Sequence, residues 1–299
     1  MKTVDTDSPE TAHSLRGEGP PLLLVAGTGY PGATWHLPEF IDQLARHHTV
    51  ITFDHRGTGD TPAGDQPFST RAFAADASAL LRALDLGPAH VVGHSMGGRV
   101  GQWMAIDAPE LVRSLVLAAS GSGGRGNPDQ PGGLPIGAMT AMIERGYRGY
   151  METHIEATFF TPEYAASHPD RVRWLVDAFW EHRPTVHDYL RHMSARQNHD
   201  TSDRLADITP PTLVLIGDAD LRRGPTGSHV DQSHFLHAHI PRAALTMLPR
   251  LSHGMFWQAP EAVVDALVDW TGHVQGSRTT AGTTSTTTGQ DGHAGGTEQ

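Results

Sequence analysis

Six short apolar runs constrain the fold of this chain more than any other feature. They lack the alternation of polar residues that a half-exposed strand shows, which is typical of strands covered on both faces. Segments with apolar residues at helical spacing lie between them, at Trp35–Arg46, Thr70–Leu84 and Glu261–Trp270. This alternation predicts an α/β fold with a doubly wound, mostly parallel sheet. The predicted strands are Leu22–Val25, Val50–Phe53, His90–Val92, Ser114–Ala118, Leu213–Ile216 and Ala244–Leu248.

The alternation of strands and helices stops after residue 120. A loop rich in glycine and proline, Gly121–Gly133, comes first. Four segments of helical pattern, rich in aromatic residues and methionine, follow it. We therefore predict a helical cap over residues 121–206, inserted into a core formed by residues 1–120 and 207–271. The helical segments are Ile136–Tyr150, His154–Phe160, Pro169–Glu181 and Val186–Arg196.

Composition excludes several classes of protein. The chain has no cysteine, which excludes disulfides, thiolate nucleophiles and cysteine-based zinc sites. Its net charge of -11 argues against broad nucleic-acid binding, which needs a basic surface. Residues 1–21 lack the pattern of a signal peptide, and no stretch approaches the ~20 apolar residues of a membrane span. We expect a cytoplasmic protein without a membrane partner, and a disordered tail over residues 272–299, which are mainly threonine, glycine and serine.

The sequence Gly93-His94-Ser95-Met96-Gly97 lies between a predicted strand and a predicted helix, Arg99–Asp107. Small residues at both ends of the pattern allow a sharp turn that exposes the serine hydroxyl. Serine is a weak nucleophile unless a base activates it and a carboxylate orients that base. The turn therefore predicts a nucleophilic Ser95, with its partners on loops that follow later strands.

Two such partners follow the last predicted strands, in the order that this architecture requires. Asp220 ends the turn after Leu213–Ile216, and His253 follows Ala244–Leu248. Asp218 competes with Asp220 for the carboxylate role, and the spacing within the turn favours Asp220. We expect His94 to pack or hydrogen-bond below the turn.

The elbow around Ser95 and four further motifs together resemble those of capped α/β-hydrolase-fold enzymes, the group that includes esterases, lactonases and proline iminopeptidases. The four are the oxyanion-loop strand Gly19–Gly27, the turn Asp54-His55-Arg56-Gly57-Thr58-Gly59, the acid turn Gly217–Asp220 and Ser252-His253. The resemblance covers residues 17–271. It implies that the backbone N–H groups of Thr28 and Met96 bind an oxyanion. Ala26-Gly27 stands where the family usually has His-Gly.

Residue types and positions suggest roles for other residues. We expect Asp54 and Arg56 to pair and to fix the turn that contains them. The histidines at 229, 234, 237 and 239 lack zinc-site spacing and are expected on a solvated helix face. The candidates to line a substrate pocket are Phe159, Trp180, Phe256 and Trp257.

The expected function is hydrolysis of an ester or lactone of a moderately large apolar small molecule by a serine nucleophile, without a metal or organic cofactor. Three alternatives stay open. The same three residues could hydrolyse carbon–carbon bonds, prolyl amides or carrier thioesters. The pocket could serve a lyase, a cyclase or a halogen-oxidising enzyme, or it could bind a ligand without catalysis. The sequence does not indicate the oligomeric state.

Overall fold

An eight-stranded sheet forms the centre of the protein, whose computed structural model describes residues 2–4, 10–123, 135–221, 223–224 and 227–282. In chain order the strands are β1 (Lys2–Val4), β2 (Thr11–Arg16), β3 (Pro21–Val25), β4 (Thr49–Phe53), β5 (Ala89–His94), β6 (Val112–Ala118), β7 (Thr212–Gly217), β8 (Arg223–Gly224), β9 (Gly227–Ser228) and β10 (Ala243–Leu248). The sheet order is β1-β2-β4-β3-β5-β6-β7-β10, and β8 and β9 form a separate two-stranded sheet. The pairs β1/β2 and β2/β4 are antiparallel and the other pairs of the large sheet are parallel.

The structure confirms the mostly parallel α/β sheet and all six predicted strands, but the sequence analysis missed β1 and β2. Strand β2 reads Thr-Ala-His-Ser-Leu-Arg, with Thr11 and His13 buried and Leu15 exposed. Its polar groups find partners in the sheet, since the Ser14 hydroxyl lies 2.7 Å from that of Thr52. Hydrophobic periodicity cannot reveal a strand whose buried positions are polar.

Helices cover both faces of the sheet. They are α1 (Pro38–Leu44), α2 (Thr70–Leu84), α3 (Met96–Asp107), α4 (Ile136–Phe159), α5 (Pro162–Ser167), α6 (Pro169–Glu181), α7 (Val186–Gln197), α8 (His229–His239), α9 (Met255–Gln258) and α10 (Pro260–Gly282), with 3-10 turns at Gly32–Trp35, Pro109–Leu111 and Ser202–Asp207. Leu22 and Leu24 of β3 pack with α1 and α10, whereas Leu23 and Val25 pack with α2 and α3. Successive side chains of a strand point to opposite faces, so an unbroken apolar run supplies both cores.

Helices α4 to α7 connect β6 to β7, in the segment for which the sequence predicts a cap. Helix α4 kinks at Gly146, whose φ is 72°, and it packs against α6. Most of the predicted loop Gly121–Gly133 lies outside the described residues. None of the described helices is both long enough and apolar enough to cross a bilayer.

The start of the predicted tail is wrong, because α10 continues through Thr271 to Gly282. Thr271 is buried and its hydroxyl lies 3.1 Å from Nε2 of His48. Val274 is also buried. These contacts support the continuation of the helix beyond Trp270, which composition alone does not reveal. Residues 283–299 lie outside the described residues.

Candidate active site

Ser95 stands on a strained turn between β5 and α3. Its backbone has φ 56° and ψ -117°, a conformation that non-glycine residues rarely adopt. A Cβ atom on Gly93 would collide with the carbonyl of Gly97, and one on Gly97 would collide with the carbonyl of Val25. The two glycines are therefore required by close backbone contact, as the motif predicts.

Hydrogen bonds to the backbone of Ser95 hold this turn in place. Its N–H donates to the carbonyl of Ala118 at 2.9 Å, and its carbonyl accepts from the hydroxyl of Ser120 at 2.7 Å. Ser95 itself is half-buried. Its own hydroxyl makes no hydrogen bond within the described part of the chain, which leaves the oxygen available to another group.

Asp220 and His253 meet at the carboxyl end of the sheet. Asp220 follows β7, His253 follows β10, and Nδ1–H of His253 donates to Oδ2 of Asp220 at 2.7 Å. Both side chains are almost fully buried. Asp218, the competing carboxylate, is exposed and accepts from the backbone N–H of Arg250. The structure therefore brings together Asp220 and His253, residues separated by 33 positions.

His229 is the residue that sequence reasoning missed. Its Nδ1–H donates to Oδ1 of Asp220 at 3.1 Å, and its ring lies 4.4 Å from that of His253. The expectation of a solvated helix face is wrong for His229, because it is the first residue of α8 and is half-buried against Asp220. A capping box between Ser228 and Asp231 fixes the start of that helix. The capping-box residues could have predicted from the sequence that a helix begins at His229. They could not have predicted that His229 contacts Asp220.

The three remaining histidines of α8 lie where the sequence analysis expects them. His234, His237 and His239 are all exposed.

The two imidazoles control the charge of Asp220. Burial opposes ionisation, but His253 and the hydrogen bonds from both histidines hold the pKa of Asp220 well below its usual value. Burial, followed by the neighbouring His253, lowers the pKa of His229. Ligand atoms of the three residues lie within 4.8 Å of one another, a spacing that could hold a metal ion. The contacts of 2.7 and 3.1 Å are hydrogen-bond distances, so two protons already account for this arrangement.

His94 supports the loop that carries His253. It is buried, and its Nε2–H donates to the backbone carbonyl of His253 at 2.9 Å. Burial and then the neighbouring His253 hold the pKa of His94 well below its usual value, so this donor is a neutral imidazole. The expectation that His94 hydrogen-bonds below the turn is confirmed.

Thr28 and Met96, the expected oxyanion donors, lie after β3 and at the start of α3. Met96 is the first residue of α3, where backbone N–H groups have no partner within the helix. Thr28 follows β3 and is buried, and its Oγ1 has no hydrogen-bond partner among the described residues. The loop has Ala26 in place of the family histidine, and Nε2 of His55 donates to the carbonyl of Ala26 at 3.3 Å.

The candidate pocket residues occupy different environments. Phe159 packs edge-on against His253 at 5.4 Å, and its carbonyl accepts from Gly254 N–H at 2.9 Å. Phe256 packs against Trp35 and Phe40 in the core, while Trp257 stacks on Trp35 and donates to the carbonyl of Thr34.

Trp180 is half-buried on α6, and its ring lies 5.6 Å from that of Tyr147. Its ring lies under the guanidinium groups of Arg148 and Arg183, at 5.3 and 4.1 Å.

The pairing of Asp54 with Arg56 is wrong. Arg56 forms a buried two-bond ion pair with Asp76, at 2.7 and 2.6 Å. Asp54 accepts from the backbone N–H groups of Gly32 and Asp60. Asp54 thus helps to fix the turn through these backbone donors, together with backbone hydrogen bonds within the turn itself.

The sheet, the elbow and the buried carboxylate–imidazole pair define a hydrolase-type α/β architecture. The model of the family described as alpha/beta hydrolase fold matches residues 20–260. The chain therefore belongs to the α/β hydrolase-fold family.

Three similar proteins illustrate this membership. A Variovorax paradoxus (strain S110) protein named "Putative carbamate hydrolase RutD" is 34% identical over 200 residues, which cover 66% of this chain and 73% of that protein. The crystal structure of the enol-lactonase from Burkholderia xenovorans LB400 has a TM-score of 0.78 at 21% identity, covering 91% of this chain and 100% of the other. A hydrolase from Pseudomonas aeruginosa PA01 has a TM-score of 0.77 at 24% identity, covering 91% and 98% of the two chains. At these identities the two structures establish the shared fold only.

Proposed function

We propose that this protein is a serine hydrolase that cleaves an ester or lactone of a moderately large apolar small molecule through an acyl-enzyme. The observation that carries the proposal is the buried 2.7 Å hydrogen bond between Asp220 and His253. That bond fixes the proton on Nδ1 of the imidazole, so Nε2 is free to act as a base. Ser95, raised on its strained turn, is the nucleophile that such a base would serve.

The first half of the reaction forms the acyl-enzyme. Ser95 Oγ attacks the acyl carbon, and its proton passes to Nε2 of His253. Asp220 stabilises the imidazolium that results. The backbone N–H groups of Met96 and Thr28 bind the oxyanion, and loss of one such donor costs about 3 kcal/mol of transition-state stabilisation. His253 then protonates the leaving alcohol.

Water completes the cycle by attacking the acyl-enzyme, with His253 again acting as the base. The hydroxyl of Ser95 is unpaired in the free protein, within the described residues. Catalytic hydrogen bonds in free enzymes are often long and tighten when substrate binds. The proposed path requires the Ser95 hydroxyl and Nε2 of His253 to come within hydrogen-bond distance when substrate binds.

The test is hydrolysis of a panel of p-nitrophenyl esters, lactones, carbamates, prolyl amides and thioesters by wild type and Ser95→Ala. Carbamates and enol-lactones belong in the panel because two relatives carry those substrates in their names. We expect turnover of esters or lactones by wild type, and a loss of at least about 1,000-fold in Ser95→Ala.

Labelling of wild type by a fluorophosphonate, but not of Ser95→Ala, would identify the nucleophile directly. Turnover by Ser95→Ala at the wild-type rate would eliminate the mechanism and favour a non-hydrolytic use of the pocket. Absence of labelling and of turnover across the panel would favour a binding module.

A further inference from the structure

Four of the five tyrosines of the chain lie together, next to the proposed catalytic residues. Tyr30 follows β3, Tyr147 and Tyr150 belong to α4, and Tyr189 belongs to α7. The rings of Tyr147 and Tyr150 lie 5.7 and 6.3 Å from that of Tyr189. Phe179 joins Tyr30 to this group, at 5.1 Å from Tyr30 and 6.3 Å from Tyr147. We call these four residues the tyrosine cluster.

Two hydroxyl groups of the tyrosine cluster are buried without a partner. The hydroxyls of Tyr30 and Tyr147 have no hydrogen bond to any described residue. Tyr30 is only 3% exposed. A buried phenol usually finds an acceptor, because an unpaired polar group is costly to remove from water. Two such donors on rings that both contact Phe179 indicate that the missing acceptor belongs to a ligand.

The tyrosine cluster adjoins the proposed reaction centre by two routes. Tyr30 stacks on Phe159 at 5.0 Å, and Phe159 contacts His253 at 5.4 Å. Tyr189 packs against Gly29, where a Cβ atom would overlap its ring, and Gly29 directly follows Thr28. The tyrosine cluster therefore packs against residues that neighbour both His253 and Thr28.

The chemistry of the cluster selects the kind of group it would bind. Burial, followed by the neighbouring tyrosines, raises the pKa of Tyr30 and of Tyr189, and burial raises that of Tyr147. All three hydroxyls therefore stay protonated and act as donors at neutral pH. Ring faces accept flat apolar groups, and phenol donors need an oxygen acceptor.

We propose that Tyr30 and Tyr147 form a hydrogen-bonding subsite for a carbonyl oxygen on a flat, aromatic part of the substrate, remote from the bond that is cleaved. The subsite refines the proposed function by naming a substrate class: aryl esters or lactones that carry a second carbonyl group. Binding at the subsite itself does not require hydrolysis, so the two proposals can fail separately.

The test compares two fluorine-labelled probes of the same shape, 4′-fluoroacetophenone and 1-ethyl-4-fluorobenzene, of which only the first has a carbonyl oxygen. Fluorine NMR titration of the full chain gives the Kd of each. We expect wild type to bind the ketone at least about tenfold more tightly, which is the effect of about one hydrogen bond. In Tyr30→Phe and in Tyr147→Phe the preference should fall to within about threefold.

The ethyl probe and a matched variant serve as controls. The Kd of the ethyl probe should stay within about twofold of the wild-type value in Tyr30→Phe and in Tyr147→Phe, because Tyr→Phe removes an oxygen and leaves the ring in place. Tyr164→Phe, on α5 and outside the cluster, should keep the wild-type preference. Equal affinity of wild type for the two probes, or an unchanged preference in both cluster variants, would overturn the subsite.

Ser95→Ala separates this proposal from the proposed function. Neither probe contains a hydrolysable ester, so Ser95→Ala should retain the full preference for the ketone. A preference for the ketone in a protein that hydrolyses nothing in the panel would reject the hydrolase proposal and leave the subsite intact. Hydrolysis of esters by a protein that shows no preference for the ketone would reject the subsite and leave the hydrolase proposal intact.

Discussion

The rings of His229 and His253 lie 4.4 Å apart, and the two histidines donate to opposite oxygens of one carboxylate, Asp220. The second donor completes the hydrogen bonding of a carboxylate that is almost fully buried. It also restricts rotation of the carboxylate, which in turn sets the orientation of His253. A residue outside the serine–histidine–aspartate set thus acts on the base through Asp220.

Replacing His229 tests this positioning role. His229→Asn can keep an N–H donor near Nδ1, whereas His229→Leu removes it. We expect kcat for an ester substrate to fall about tenfold in His229→Leu with little change in KM, the effect of about one hydrogen bond to a charged group. His229→Asn should retain most of kcat.

The pH profile separates positioning from a general structural effect. In His229→Leu the carboxylate of Asp220 loses one of the donors that lower its pKa and becomes more basic, so the acid limb of kcat/KM should move to higher pH. The charged groups around His229 are Asp220, His253 and Arg99, and only the first two contact it. Equal kcat in wild type and His229→Leu, with an unmoved acid limb, would contradict the role.

The close contact at the elbow predicts a large cost for a single methyl group. Gly97→Ala places a Cβ atom against the carbonyls of Val25 and Ala26. We expect the free energy of unfolding to fall by about 3 kcal/mol, because the backbone on both sides must move. Urea titration measures the loss.

Gly137→Ala is the matched control for this change. A Cβ atom there meets nothing within 4 Å, and the residue lies in α4. Alanine favours the helix over glycine, so stability should stay the same or rise slightly. Equal stability of the two variants would show that the elbow tolerates the methyl group.

The strained backbone of Ser95 predicts that stability and activity oppose each other. Glycine adopts φ 56° and ψ -117° far more easily than alanine does. Ser95→Gly should therefore be about 1 kcal/mol more stable than Ser95→Ala in urea titration, although both lack the hydroxyl. A less stable Ser95→Gly would mean that the turn stores no strain.

Buried histidines predict a loss of stability in mild acid. Burial lowers the pKa of His55 to about 4 and that of His192 to about 3. The unfolded chain protonates these groups near pH 6.5, so below that pH the unfolded state binds more protons and the folded state is disfavoured. Each group removes about 1.4 kcal/mol of unfolding free energy per pH unit as the pH falls from 6.5 towards its folded-state pKa.

Urea titrations at pH 7, 6 and 5 measure this slope. His192→Gln should reduce the slope by the contribution of about one bound proton, because one titrating group is lost. His237→Gln should leave it unchanged, because His237 is exposed. An identical slope in wild type and His192→Gln would mean that His192 binds its proton at the same pH in the folded and unfolded states.

Much of the fold could be predicted because its signals are local. An unbroken apolar run needs cover on both faces wherever it lies, so the six parallel strands follow from short windows of sequence. The elbow motif is equally local, since Gly93, Ser95 and Gly97 fall within five residues, although the contact that requires Gly97 is with Val25 of β3. The order of Ser95, Asp220 and His253 along the chain follows from the same strand pattern.

Contacts between distant polar residues were decided by the tertiary structure alone. Arg56 pairs with Asp76 and not with Asp54, because α2 brings the second carboxylate to a buried guanidinium. His229 reaches Asp220, and Tyr30 joins tyrosines more than a hundred positions away, through the packing of separate elements. A strand or helix pattern fixes which face a residue occupies, but not which residue of another element it meets there. That partner depends on how the layers pack together, and the candidate site consists of such contacts between separate elements.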